Sequence, residues 1–181
     1  MKYKWKKHSS QYKILYILLL LVIVFLTTYI LWPRKVERIL QPILLPELST
    51  TGFSKVENIE INIFGNVAAV NLRTDCYELV ATVEASQAES IQRGVGKVYV
   101  ARPNAHDIVV DAFNSLGIEV VMVKITELKE NAFYSKLILR QENTVLSLDA
   151  RPSDAIAIAT RTNSSIYINS TLLKEVGRKI C

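Results

Sequence analysis

The sequence predicts an α+β fold: a single compact domain with a mixed β-sheet and short helices, preceded by one N-terminal transmembrane helix. Three observations lead there. A charge-free run from Ile14 to Trp32 stands ahead of the rest. Behind it, several apolar runs of strand period follow one another with only polar turns between them. Short helical stretches are interspersed without strict strand–helix alternation, which favours α+β over a clean parallel order.

Ile14 to Trp32 reads ILYILLLLVIVFLTTYILW, 19 residues without a charge. At 1.5 Å per residue it would span about 28 Å, close to the roughly 30 Å hydrocarbon core of a bilayer. Tyr12, Tyr16, Tyr29 and Trp32 lie near its ends, where amphipathic rings prefer the lipid interface. The run is longer than a signal-peptide core and ends in LWPRK without an Ala-x-Ala site, so a retained anchor is expected. Lys2, Lys4, Lys6, Lys7 and Lys13 precede it; Arg34, Lys35 and Arg38 follow, with Glu37. That excess predicts a single-pass cell-membrane protein with a cytoplasmic N-terminus and an extracytoplasmic C-terminal domain. The expected organisation is a basic tail over 1–13, the span over 14–32, a juxtamembrane linker over 33–52 and a folded domain over 53–181.

The formal charge of +5 belongs to the anchor. Residues 1–35 hold seven Lys or Arg and no acid, which leaves 15 basic and 17 acidic side chains beyond, a net of −2. A folded part of that charge lacks the global electropositivity of a non-specific nucleic-acid binder.

Within the domain, KVENIEINIFGNVAAVNL alternates at Ile59, Ile61 and Ile63 and turns at Gly65-Asn66, predicting a hairpin over 55–72. Tyr77 to Val83 predicts a strand, and Ser86 with Glu89 has the spacing of a capping box for a helix ended by Gly94. Val98 to Ala101 reads as a brief strand. Asn104 is expected to cap a helix stopped by Gly117, with Ile108, Val109, Ala112, Phe113 and Leu116 on its apolar face. Glu119 to Leu128 and Phe133 to Arg140 predict strands joined by Lys129-Glu130-Asn131, and Val145 to Leu148 another. Ser153 opens a helix to about Arg161, Ile166 to Ile168 is a short strand, and Ser170 caps a last helix. Cys76 and Cys181 could pair only if their Cα atoms approach within about 7 Å. Cys181, at the terminus, reads as a free or frayed residue.

Chemistry gathers at two strand-to-helix corners, VARPNAHD (Val100 to Asp107) and LDARPSDA (Leu148 to Ala155). Each runs through Arg-Pro into a helix whose first turn holds an acid. Proline keeps the incoming chain extended, Asn104 and Ser153 can accept free amides, and Asp107 and Asp154 suit the positive helix end. On the Asn104 helix, His106 falls roughly 90° from the centre of the apolar face, Asp107 nearly opposite it, and Asp111 on the side of Asp107. The polar set Arg102, His106, Asp107, Asp111, Asp149, Arg151 and Asp154 therefore has two readings. Carboxylates with a histidine can hold a divalent metal, Mg or Mn, or activate water, and arginines can receive a phosphate. The same residues can equally form a structural ion network.

RPNAHD, DAFNSLGIEVVMVKI, FYSKLIL, and above all LDARPSDAIAIATR with SSIYIN, resemble the bifunctional nuclease domain family, also catalogued as DUF151, from about Tyr77 to Gly177. The resemblance implies a compact α+β domain, a homo-oligomer, and a nuclease acting on RNA or DNA. The family's Arg-Pro and His-Asp fall on Arg102, Pro103, His106 and Asp107; its Asp-Ala-Arg-Pro-Ser-Asp-Ala falls on Asp149 to Ala155; its Phe-Tyr falls on Phe133 and Tyr134. This chain departs from the pattern at Ala105, where a threonine is common, and at Gln87-Ala88, where the family carries Glu-Ala.

The first expectation is a membrane-anchored, metal-dependent nuclease or related phosphodiesterase. His106, Asp107 and Asp154 would be catalytic, Arg102, Arg151 and Tyr134 would bind substrate, and Asp107, Asp149 and Asp154 would hold the metal. The alternatives are a non-catalytic membrane-tethered binding or assembly module, and a site for a small phosphorylated ligand.

Overall fold

The computed structural model describes residues 8–31, 46–98 and 100–181. The chain forms two compact units, Met1–Leu44 and Leu45–Cys181. In the first, α1 (His8–Leu31) is a single helix of 24 residues. Among the described residues no helix is long and apolar enough to cross a membrane. α1 opens on the polar turn His8-Ser9-Ser10-Gln11 and Lys13. The strictly apolar stretch ahead of the first threonine, Ile14 to Leu26, covers about 20 Å at 1.5 Å per residue. Thr27 and Thr28 follow, their hydroxyls returned to the carbonyls of Val24 and Phe25. This corrects the expected transmembrane helix, and with it the single-pass location and the assigned sides for terminus and domain. The expected linker over 33–45 lies outside the described residues.

The second unit contains a 3-10 turn (Pro46–Leu48), then β1 (Phe53–Lys55), β2 (Asn58–Phe64), β3 (Val67–Arg73), β4 (Tyr77–Glu84) and α2 (Ala85–Val95). There follow α3 (Ala105–Ser115), β5 (Glu119–Lys129), β6 (Ala132–Gln141), β7 (Thr144–Ala150), α4 (Pro152–Thr162), β8 (Ser165–Asn169), α5 (Ser170–Val176) and β9 (Arg178–Lys179). The architecture is α+β, but the single mixed sheet of the sequence reading is corrected to two sheets. One has the order β1-β8-β5-β6-β7, the other β2-β3-β4-β9. The split arises because the meander β2-β3-β4 is closed at its β4 edge by the terminal β9. Among the described residues only β5 and β8 run parallel. Val98 to Ala101 is not a strand among the described residues.

The core lies around α4. Ala155, Ile156, Ala157, Ile158 and Ala159 are all buried there. Their alternation of small and branched side chains lets α4 sit close to the first sheet while packing against Val123, Ile125, Leu137 and Leu139. Each buried isoleucine stabilises the fold by roughly 1.5–3 kcal/mol. α2 crosses α4 at Gly94, where a Cβ would meet Thr160 Oγ1 at 2.1 Å. That close approach brings the two helices' polar residues into hydrogen-bonding range.

Two unexpected ties secure the ends. Lys124, buried in β5, donates to the carbonyls of Glu47 and Ser49 at 2.6 Å each, and its Nζ lies 5.1 Å from the Phe53 ring. Cys76 and Cys181 form a disulfide with Cα atoms 4.9 Å apart, which corrects the reading of Cys181 as free. The cause is β9: pairing with Tyr77 and Glu78 carries the terminus past Cys76, whose carbonyl accepts from Ile180 N.

Helix starts also differ from expectation. α3 has its capping box, Asn104 with Asp107. α2 begins directly from β4, with Glu84 as N-cap and no side-chain cap bond, so Ser86 does not cap it. α4 is led by Arg151 with Pro152 in its first turn, which leaves Ser153 buried rather than capping. Asn169, not Ser170, accepts at the start of α5.

Candidate functional site

The two corners meet. His106 Nε2, from the first turn of α3, lies 3.2 Å from Asp154 Oδ1, in the first turn of α4. Asp154 is gripped a second time by Arg151, with Nε at 2.7 Å and Nη2 at 3.3 Å. On its other side His106 Nδ1 is 2.9 Å from Ser90 Oγ of α2. Ser90 Oγ also accepts from Asn104 Nδ2 at 3.0 Å and Arg161 Nη2 at 3.2 Å. With two donors already on that oxygen, its hydroxyl proton goes to Nδ1, and the imidazole proton then sits on Nε2 facing Asp154. Ser90 is only 6% exposed. The Ser-His-Asp line is thus a positioning device, with no nucleophile open to substrate.

Asp107 does not face away from the domain as its helical angle suggested. The apolar residues Ile108 and Leu116 are 57% and 62% exposed, whereas Val109, Val110 and Phe113 pack against the core. α3 is therefore rolled so that His106 and Asp107 point inward, because the buried polar groups of α2 and α4 offer them partners. Asp107 Oδ1 receives Arg161 Nε at 2.6 Å and its Oδ2 receives Asn104 N at 2.8 Å. Arg161 also donates from Nη1 to the carbonyls of Ser90 and Ala157. Burial pushes the Asp107 carboxyl up. The Arg161 bond, the Asn104 amide and the nearby charges of Arg161 and Arg93 outweigh it and hold the group below the usual carboxylate range.

Three expected members lie elsewhere. Asp149, on β7, pairs with Lys136 across the strand at 3.2 Å and is largely exposed. Arg102 is exposed before α3, and the arginine on Asp107 is Arg161 instead. Tyr134 points outward from the β5–β6 hairpin, its ring 6.0 Å from Lys129 Nζ, while Phe133 packs on the core as alternation requires. Among the described residues no three His, Cys, Asp or Glu side chains gather so as to hold a metal ion. Asp107 and Asp154 are each paired with an arginine and Asp149 with a lysine.

The sequence reading missed Ser90 and Arg161. A signal existed for Arg161: it follows Asp154 by seven residues, two helical turns, and so shares its face. Beside Arg161 opens a hollow of about 370 Å³, walled by Arg93, Lys97, Asp107 and Asp111 with Val98, Val100 and Val110. It adjoins the His106 network through Arg161, since Arg161 and His106 share Ser90 as a partner.

Residues 72–180, more than half of the chain, match the model of the bifunctional nuclease domain. The chain belongs to the bifunctional nuclease domain family. An uncharacterized protein of Mycobacterium tuberculosis is 35% identical over 92 residues, 51% of this chain and 54% of that protein. Bifunctional nuclease 1 of Oryza sativa subsp. indica is 35% identical over 86 residues, 46% of this chain and 26% of that one. Bifunctional nuclease 2 of Arabidopsis thaliana is 34% identical over 86 residues, again 46% of this chain and 26% of the relative. The chain thus spans about half the length of the mycobacterial relative and about a quarter of the plant ones. The matched region takes in both corners, Ser90 and Arg161.

Proposed function

We propose that this member of the bifunctional nuclease domain family cleaves phosphodiester bonds of nucleic acid at the junction of α2, α3 and α4. The supporting observation is the line Ser90–His106–Asp154–Arg151, which runs from a buried hydroxyl to an arginine 71% exposed at its side chain. Arg151 receives the phosphate through the guanidinium edge now turned to Asp154. Release of Asp154 leaves its carboxylate, 29% exposed, to accept a proton from the attacking water. His106 holds that carboxylate in place from Nε2 and Ser90 fixes the ring, so that Asp154, once it has taken the proton from the water, passes the same proton to the leaving oxygen.

The test is a cleavage assay with the purified full chain on single-stranded RNA, single-stranded DNA and bis(p-nitrophenyl) phosphate, with and without chelator. Activity is expected to fall about 100-fold or more in His106→Gln and in Asp154→Asn, in the range for loss of a general acid or base. Both variants should melt near wild type. Cleavage that survives either substitution at wild-type rate sinks this assignment.

A second reading, a non-catalytic binding module, is favoured by the pairing of Asp107 with Arg161 and of Asp154 with Arg151. It requires no cleavage of any of the three substrates and a loss of folding, rather than of rate, in the same variants.

A further inference from the structure

The hollow beside Arg161 has a chemistry of its own. At about 370 Å³ it falls within the roughly 300–1,000 Å³ of small-molecule sites. Its charged groups are not equivalent. Arg161 spends four of its N–H groups on Asp107, Ser90 and Ala157, so that pair is closed on itself. Arg93 reaches Glu89 only at 3.9 Å, a loose surface contact. Lys97 Nζ donates once, to the Thr160 carbonyl at 2.5 Å, which leaves two of its three N–H groups. Its backbone is left-handed, φ 52°, a conformation uncommon outside glycine, and the turn is closed by Val98 N donating to Arg93 O at 2.9 Å. This turn holds together the segment that brings both Arg93 and Lys97 to the lining of the hollow.

From α3, Asp111 and Asn114 also line the hollow, three residues apart and neighbours on one helix face. Val98, Val100 and Val110 give the hollow an apolar surface. Cations from the end of α2, a carboxylate with an amide from α3 and apolar valine side chains in one hollow match a ligand carrying a phosphate, vicinal hydroxyls and a flat ring. We infer that the hollow binds one ribonucleoside 5′-phosphate, free or at the end of a strand, with Arg93 and Lys97 on the phosphate and Asp111 on the ribose hydroxyls. The base lies against the valines. A carboxylate accepting from a ribose hydroxyl is a known device for selecting ribonucleotides. The choice of a nucleotide rests on the nuclease reading; the site itself is separate from the proposed proton-transfer residues.

Isothermal titration of the full chain tests it, with adenosine 5′-monophosphate, its 2′-deoxy analogue, adenosine, inorganic phosphate, and a short oligoribonucleotide with and without a 5′-phosphate. The monophosphate is expected to bind about tenfold or more tighter than adenosine, since bonds to charged groups are the stronger class. Arg93→Gln with Lys97→Gln should remove that margin, and Asp111→Asn should abolish the preference for ribose over deoxyribose while keeping the phosphate margin. Tighter binding of the 5′-phosphorylated oligonucleotide than of the free monophosphate assigns the site to strand ends; the reverse assigns it to free nucleotide. Equal affinity for adenosine and its monophosphate overturns the inference. So does a folded Arg93→Gln, Lys97→Gln variant that binds as wild type; if that variant fails to fold, the Asp111→Asn result decides. Binding without cleavage in any assay would leave this site standing and remove the nuclease reading; cleavage without nucleotide binding would do the opposite.

Discussion

Arg161 and Asp107 form the tightest charged contact of the site, with the arginine side chain only 9% exposed. Asp107→Asn keeps an acceptor for Asn104 N but strips the arginine of its counter-charge. Leaving one partner of a largely buried pair uncompensated costs about 2–4 kcal/mol, somewhat under the range for full burial because Asp107 stays partly wet. Urea denaturation of the variant at neutral pH measures it, and a loss under about 0.5 kcal/mol would show that the pair is incidental. The pH dependence has a definite sign. Asp107 is held below its usual range, and so is Glu78, where the Arg178 bond, Arg178 and Arg73 charges and the Arg73 bond prevail over burial. A carboxylate whose folded pKa is depressed contributes stability that is present above its unfolded pKa and is lost as pH falls through the folded one. The urea midpoint should therefore hold near neutrality and drop as pH falls below the ordinary carboxylate range. Glu78→Gln and Asp107→Asn should each flatten that slope; an unchanged slope in both would contradict the assignment.

At the scale of elements, the contact between α2 and α4 controls whether Ser90 and Arg161 can meet. A methyl at Gly94 would overlap Thr160 Oγ1, and Arg161 Nη1 lies 3.2 Å from the same point. Gly94→Ala should destabilise by about 1–3 kcal/mol, the usual cost of overpacking, and should slow any cleavage more than its stability loss alone explains. Thermal melts beside rate measurements separate the two; a wild-type melting curve would mean that the helices part without strain. Element boundaries were partly readable. Asn104 with Asp107 carries its own capping chemistry three residues apart, so local sequence is enough. Ser86 and Ser153 carried the same kind of signal and do not cap, because β4 runs unbroken into α2 and Arg151-Pro152 set the start of α4. The roll of α3 was not readable. Ile108 and Leu116 look like core to a count of 100° per residue, yet hydrogen-bond partners on α2 and α4 draw the polar His106 and Asp107 inward.

For the folded unit, the disulfide between Cys76 and Cys181 closes a separation of 105 residues that takes in every element from β4 onward. Its loss in Cys181→Ser should cost about 2–5 kcal/mol, most of it through a less restricted unfolded chain, and release β9 with Arg178 from Glu78. Denaturation with and without a thiol reductant reads this, and identical curves would exclude it. What the sequence determined by itself is whatever neighbours along the chain can enforce: strand alternation, the Gly65 turn, the Asn104 cap, and the two Arg-Pro corners that carry the family likeness. That those corners face each other is decided by the fold, which puts His106 against Asp154. Which arginine serves which acid, the separation of Asp149 from the rest, the division into two sheets and the closing of the chain on Cys76 were decided only in the tertiary structure. Each depends on groups brought together from distant positions, and the strength of such a contact is set by burial and competing partners that local sequence does not contain.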